Sequence, residues 1–218
     1  MGRIVDLSHA VQHGMITYPG LPGPEITDHL TREASRSHYA PGTEFRIGRI
    51  NMVANTGTYL DTPFHRFADG HDLAGLDLDR VAGVDGVVID AMGPQEAGAE
   101  LLTGVDVAGR AVLVRTGWDR HWGSEAYGDG AHPFLGADAA ELLVVGGAAV
   151  VGIDSVNIDD TRTGARPIHT ALLGAGIPIV EHLCRLDRLP VNGFTFHAAP
   201  PAVEQFGTFP VRAYGVIE

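Results

Sequence analysis

Four short apolar runs set the strongest limit on how this chain can fold. They are Val87-Val88-Ile89, Ala111-Val112-Leu113-Val114, Ala148 to Ile153 and Ile177 to Val180. A strand with one face in water alternates apolar and polar residues. An unbroken β-branched run of this length needs cover on both faces, which is the setting of a strand inside a layered sheet. The segments between the last three runs read as helices. Asp138 to Val145 is rich in Ala and Leu and stops at Gly146-Gly147. Ile168 to Leu173 follows Pro167 and ends at Gly174, with proline before and glycine after as helix termini favour. Phe45 to Val53 alternates imperfectly and reads as a further strand. The expected fold class is therefore α/β, with a mixed, partly parallel β-sheet core flanked by helices. The runs end on Asp90, Arg115, Asp154 and Glu181. Functional groups often sit at such strand ends, although polar residues also stand there simply because loops begin.

Composition removes several classes of function. The 218 residues carry 15 Lys plus Arg against 27 Asp plus Glu, a net charge of −12. Phosphate backbones and anionic lipid repel such a surface, so neither nucleic acid nor membrane is an expected partner. No apolar run approaches the roughly 20 residues of a spanning helix. Cys184 is the single cysteine, so an intrachain disulfide is excluded and a reducing cytoplasm is the expected location. The opening residues lack the apolar core of a secretory leader. With no long linker and no repeat, residues 1–218 read as one domain.

The chemistry concentrates in Asn55-Thr56-Gly57-Thr58-Tyr59-Leu60-Asp61-Thr62-Pro63-Phe64-His65. Pro63 pushes Thr62 toward an extended conformation. Asp61 and His65 are thus expected on a stiff, non-helical segment, an arrangement suited to general acid/base work. A surface hydrogen bond between a neighbouring Asp and His is the bland alternative.

This segment resembles the signature HxGTHxDxPxH of the bacterial cyclase family, which includes kynurenine formamidases and isatin hydrolases. Gly57-Thr58, Asp61, Pro63 and His65 match it. The resemblance continues in Ile4 to His9, Tyr18-Pro19-Gly20, Leu113 to Trp118, Gly152 to Ser155, Pro167-Ile168-His169, Gly176 to Glu181 and Phe209 to Ala213. It implies a swivelling β/β/α cyclase-like domain and a metal-dependent hydrolase. It also implies one or two divalent ions, usually Zn or Mn, and a last signature histidine that serves as the acid/base. Relatives form dimers or tetramers, so a homodimer or homotetramer is expected.

The chain departs from the signature at two ligand positions, where Asn55 and Tyr59 replace histidines. Asn offers only a hard carbonyl oxygen, and Tyr ligates well only as phenolate. The remaining ligand-type residues are Asp61, His169 and Glu181, enough for one divalent cation. They would equally form a hydrogen-bonded polar cluster, with Arg115 or Arg162 available to neutralise buried carboxylates. Candidate catalytic residues are His65 and Asp61. Candidate substrate contacts are Asn55, Tyr59, Phe64, Tyr18 and Trp118. His182 follows Glu181 directly, so on a continued strand it would face away from the site.

The first functional expectation is a hydrolase or cyclase acting on a C–N bond (amide or lactam) or a lactone bond of a small, aromatic molecule. His65 would move the proton. The alternative is a metal-free cyclase or dehydratase of secondary metabolism, or a small-molecule-binding protein on the same scaffold.

Overall fold

The apolar runs become the centre of a nine-stranded mixed sheet. The computed structural model describes residues 2–217. Its strands are β1 (Arg3–Asp6), β2 (Glu25–Leu30), β3 (Ile47–Asn51), β4 (Tyr59–Asp61), β5 (Ala82–Asp90), β6 (Glu96–Ala97) and β7 (Ala111–Arg115). They continue with β8 (Phe134–Leu135), β9 (Val150–Ile153), β10 (Ile179–Glu181), β11 (Phe194–His197), β12 (Thr208–Pro210) and β13 (Tyr214–Ile217). The helices are α1 (Arg32–Ser35), α2 (Ala137–Gly146) and α3 (Pro167–Gly174). The large sheet runs β1-β13-β11-β5-β7-β9-β10-β4-β12. Its middle, β5-β7-β9-β10, is parallel, and both flanks are antiparallel.

Each central strand divides its residues between two cores, which is why its sequence is apolar throughout. Val87, Ile89, Val112, Val114, Val151, Ile153 and Ile179 face one core, where Leu143 of α2 and Ile168 and Leu172 of α3 cover them. Val88, Leu113, Val150 and Val180 face the other, against Leu60, Leu183, Phe194 and Phe196. Phe194 and Phe196 of β11, with Leu73, Leu76, Leu183 and Leu186 of the connecting segments, cover that second face. Helix α2 stops at Gly147 in the left-handed conformation (φ 73°), the usual helix C-terminus for glycine.

Two local expectations need correction. The strand expected over residues 45–53 is shorter and pairs with β2 in a separate two-stranded ribbon. Pro63 to His65 is not extended but forms one turn of 3₁₀-helix after β4. Proline at the first position of that turn has no N–H to leave unpaired, so it starts the turn without penalty. Among the described residues no helix is long and apolar enough to cross a membrane.

Candidate functional site

The site is built by the pairing register of three short strands. β4 lies between β10 and β12. Tyr59 stands opposite Glu181 on β10, and Asp61 stands opposite Thr208 on β12. Residues two apart on a strand share a face, so Tyr59, Asp61, Glu181 and Thr208 project together while Leu60 and Val180 enter the core behind them. Helix α3 adds His169, which is buried. A backbone turn at Gly57 (φ 68°) precedes β4. Its N–H donates to the Thr17 hydroxyl (2.8 Å), which fixes the loop leading into the site.

Thr208 links the acid to the base. Its hydroxyl donates to Asp61 Oδ1 through a short hydrogen bond, and its oxygen lies 2.8 Å from His65 Nδ1. A carboxylate only accepts, so the Thr208 proton belongs to Asp61. His65 Nδ1–H must then donate to Thr208. The other ring nitrogen, Nε2, is left as the basic atom. His65 lines the adjacent cavity and keeps 36% of its side-chain surface exposed, enough to meet a ligand.

The ligand-type atoms converge without bonding to one another. His169 Nε2 is 3.8 Å from Asp61 Oδ2 and 3.7 Å from Glu181 Oε1. Both gaps exceed a hydrogen bond. Asp61 Oδ2 is fully buried and has no hydrogen-bond partner, an expensive state for a carboxylate oxygen unless a cation serves it. Asp61, His65 and His169 each offer one ligand atom within 4.8 Å of the others. The donor set of imidazole nitrogen and carboxylate oxygen suits Zn or Mn.

Sequence reading missed Asp159. It is buried and accepts from the N–H groups of Ile168 (2.7 Å) and His169 (3.0 Å) at the start of α3. Its Oδ2 also lies 2.6 Å from His169 Nδ1. That bond assigns the Nδ1 proton and turns Nε2 toward Asp61, the orienting role that carboxylates play behind ligand histidines. Nothing in the spacing of Asn157-Ile158-Asp159 announces this, because the recipient lies on the next helix. Thr208 was missed for the same reason, although it adjoins the Phe209 to Ala213 stretch that resembles the family.

The charges settle according to these contacts. Burial would raise the Asp61 pKa, but His169, His65 and Thr208 hold it below its ordinary value. Burial and the Asp61 charge push Glu181 up to about 7, although His169, Tyr59 and the Ile158 N–H act the other way. Burial disfavours a charged His169, yet the bond to Asp159 and the Asp61 and Glu181 charges outweigh it and raise its pKa to about 10. Tyr59 donates to Glu181 Oε2 at 2.6 Å. Burial and the two carboxylates push its pKa well above 10, so without a bound cation it stays a phenol.

Arg115 and Arg162 do not neutralise this cluster: they pair with Asp90 (3.7 Å) and Asp160 (2.9 Å). His182 does not face away. The strand ends at Glu181, and His182 adopts a left-handed φ of 56° that swings its ring back to 3.3 Å from the Tyr59 hydroxyl. A non-glycine residue in that conformation costs about 1–2 kcal/mol.

A cavity of about 630 Å³ opens over the cluster. Tyr18, Asn55, Tyr59, His65, His169 and Glu181 line it, whereas Phe64 and Trp118 do not. Trp118 instead donates its indole N–H to the Tyr127 carbonyl (2.9 Å). Arg66 and Arg166 stand on the cavity wall, and neither makes a salt bridge among the described residues.

Comparison with known proteins agrees with this architecture. The Cyclase family model, described as "Putative cyclase", matches residues 5–160. A kynurenine formamidase of Bacillus cytotoxicus is 29% identical over 213 residues, covering 96% of this chain and 95% of that protein. Isatin hydrolase A from Ralstonia solanacearum superposes with a TM-score of 0.82 at 23% identity, covering 99% of this chain and 92% of that one. A structure described as a "potential metal-dependent hydrolase with cyclase activity" gives a TM-score of 0.81 at 23% identity, covering 100% of this chain and 99% of that one. The likeness to both structures is one of fold. The family model takes in the whole β4 segment with Asp61 and His65, and on that match the chain belongs to the cyclase family.

Proposed function

We propose that this protein hydrolyses a C–N bond, an amide or lactam, in a small aromatic molecule, with His65 as general acid/base. The observation that carries this reading is the Asp61–Thr208–His65 chain, which engages His65 Nδ1 and leaves Nε2 as the basic atom of the neutral ring beside the cavity. Nε2 takes a proton from the attacking water and returns it to the leaving nitrogen. Asp61 and His169 of the tight Asp61–His65–His169 group would hold one divalent cation, with Glu181, 3.7 Å from His169, as the third ligand, His65 kept for proton transfer and Asp159 orienting His169. A bound cation supplies polarisation of the carbonyl and a more acidic water. Asn55 and Tyr18 contribute polar and aromatic wall to the cavity. Arg66 and Arg166 favour a substrate that carries a carboxylate near the scissile bond. The names of the formamidase and hydrolase relatives support the amide reading. Exposed Phe45, Ile47 and Ile50 on and beside the β2–β3 ribbon support assembly into a homodimer or homotetramer, and the single buried thiol of Cys184 is consistent with a cytoplasmic location.

A second reading has its own observation. A protonated His169, held by Asp159 and facing Asp61 and Glu181, would neutralise the buried carboxylates without any ion. The same acid/base pair would then perform metal-free ring closure or dehydration. Two measurements decide. N-formylanthranilate and formanilide are supplied to wild type and to His65→Ala, and released formate is followed. Loss of about 10²–10⁴ in turnover is expected, and unchanged turnover in the variant rejects His65. Elemental analysis after growth with Zn and Mn separates the readings: one ion per chain supports the hydrolase, and none supports the second.

A further inference from the structure

Behind Tyr59 lies a buried polar chain that the proposed reaction does not use. Tyr127, His182 and Tyr59 are all buried. His182 Nδ1 is 2.8 Å from the Tyr127 hydroxyl, and His182 Nε2 is 3.3 Å from the Tyr59 hydroxyl. Tyr59 in turn donates to Glu181 at 2.6 Å. The proton positions follow from counting donors. Tyr59 owns one proton and spends it on a carboxylate that only accepts. At the Tyr59 oxygen His182 must therefore donate, from Nε2–H. A neutral imidazole carries one ring proton, so Nδ1 accepts from the Tyr127 hydroxyl. All three protons point the same way, from Tyr127 through His182 and Tyr59 to Glu181.

The backbone supports this arrangement. His182 holds a left-handed conformation that few side chains favour. Its carbonyl accepts from Thr58 Oγ1 at 2.6 Å, which ties that turn to the segment leading into β4. Removing the ring would leave the buried Tyr127 hydroxyl without a partner and Tyr59 with Glu181 alone.

We infer that His182 is a positioning residue: as an Nε2–H donor relaying from Tyr127, it locks the Tyr59 hydroxyl onto Glu181 Oε2, which leaves Oε1 facing His169 Nε2 at 3.7 Å. Tyr59 thus replaces a ligand imidazole by a fixed donor that shapes a one-ion site. This rests on the single-cation reading above.

Two measurements test it on the full-length protein. Long-range ¹⁵N–¹H spectra of the His182 ring at pH 7.5 are expected to show Nε2 protonated and Nδ1 bare; a proton on Nδ1 overturns the relay. Mn²⁺ affinity is then compared in His182→Gln, which keeps an N–H donor, and His182→Met, which has similar bulk and none. Both variants meet the same left-handed backbone, so their difference reads the donor. The Met variant is expected to bind Mn²⁺ about 10–100-fold more weakly, and the Gln variant within about threefold of wild type. Equal affinities in the two variants overturn the inference. If the variants do not fold, the wild-type tautomer decides. If wild type binds no Mn²⁺, the cation reading fails while the ring spectrum still judges the relay.

Discussion

Replacing Asp159 by Asn changes one oxygen to an amide and tests whether the His169 position is held from behind. The Asp159 carboxylate accepts three hydrogen bonds, from the Ile168 N–H, the His169 N–H and His169 Nδ1. An asparagine has one acceptor oxygen. Turned toward His169, it keeps two neutral bonds and sets its amide protons against the buried Ile168 N–H. That unpaired donor costs about 1–3 kcal/mol, and exchanging a charge-assisted bond to His169 for a neutral one removes roughly another 1 kcal/mol. The anion at the start of α3 also interacts with the helix dipole, worth about 0.3–1 kcal/mol. The expected loss is about 2–5 kcal/mol, or roughly 5–20 °C in Tm for a domain of this size. Mn²⁺ affinity should fall about 10–100-fold, because His169 Nε2 is no longer aimed. Thermal melting by circular dichroism and calorimetric Mn²⁺ titration read the two effects. A variant that melts within 2 °C of wild type and binds Mn²⁺ equally would show that His169 needs no support from Asp159.

Gly207→Ala should disable the acid/base turn from outside it. A Cβ there would meet the His65 backbone nitrogen, and the His65 Cα at 2.6 Å, so the 3₁₀ turn must move. A shift near 1 Å costs about 10²-fold in turnover, and full activity in a crystallographically unmoved variant would refute the contact. His9 stacks on Trp122 at 3.8 Å; burial first, and the Arg185 charge with it, push its pKa down to about 4, against the Asp6 charge. Its folded pKa lies below the unfolded value near 6.5, so the folded state resists protonation, and stability drains as pH falls from 6.5 toward 4, by about 3 kcal/mol. His9→Gln should flatten that acid limb in urea melts at successive pH values; parallel curves for the two proteins would contradict it. Arg166→Ala and Arg66→Ala should raise KM for N-formylanthranilate at least several-fold while leaving formanilide unchanged. Equal effects on both compounds would remove the carboxylate contact.

The central strands and two helices were legible because their signals are local. An unbroken run such as Val112-Leu113-Val114 states that both faces are covered, and Pro167 with Gly174 bounds a helix without reference to anything distant. Asp61 and His65 were legible as a motif. Their geometry was not, since the 3₁₀ turn at Pro63 and the Thr208 hydroxyl that joins them lie outside what spacing conveys. The misreading of His182 has the same origin. Strict alternation predicts the opposite face only while the strand continues, and it ends at Glu181.

The sequence alone determined the layered α/β class, the acidic surface and the presence of an acid, a base and two further ligand-type residues in the chain. Tertiary structure decided which atoms meet. Tyr59 reaches Glu181 across 122 positions and Asp61 reaches Thr208 across 147. Those pairs exist because β4 is inserted between β10 and β12 in one register. Register is a property of the assembled sheet, fixed by which faces are buried. No window of the sequence contains the strands that set it.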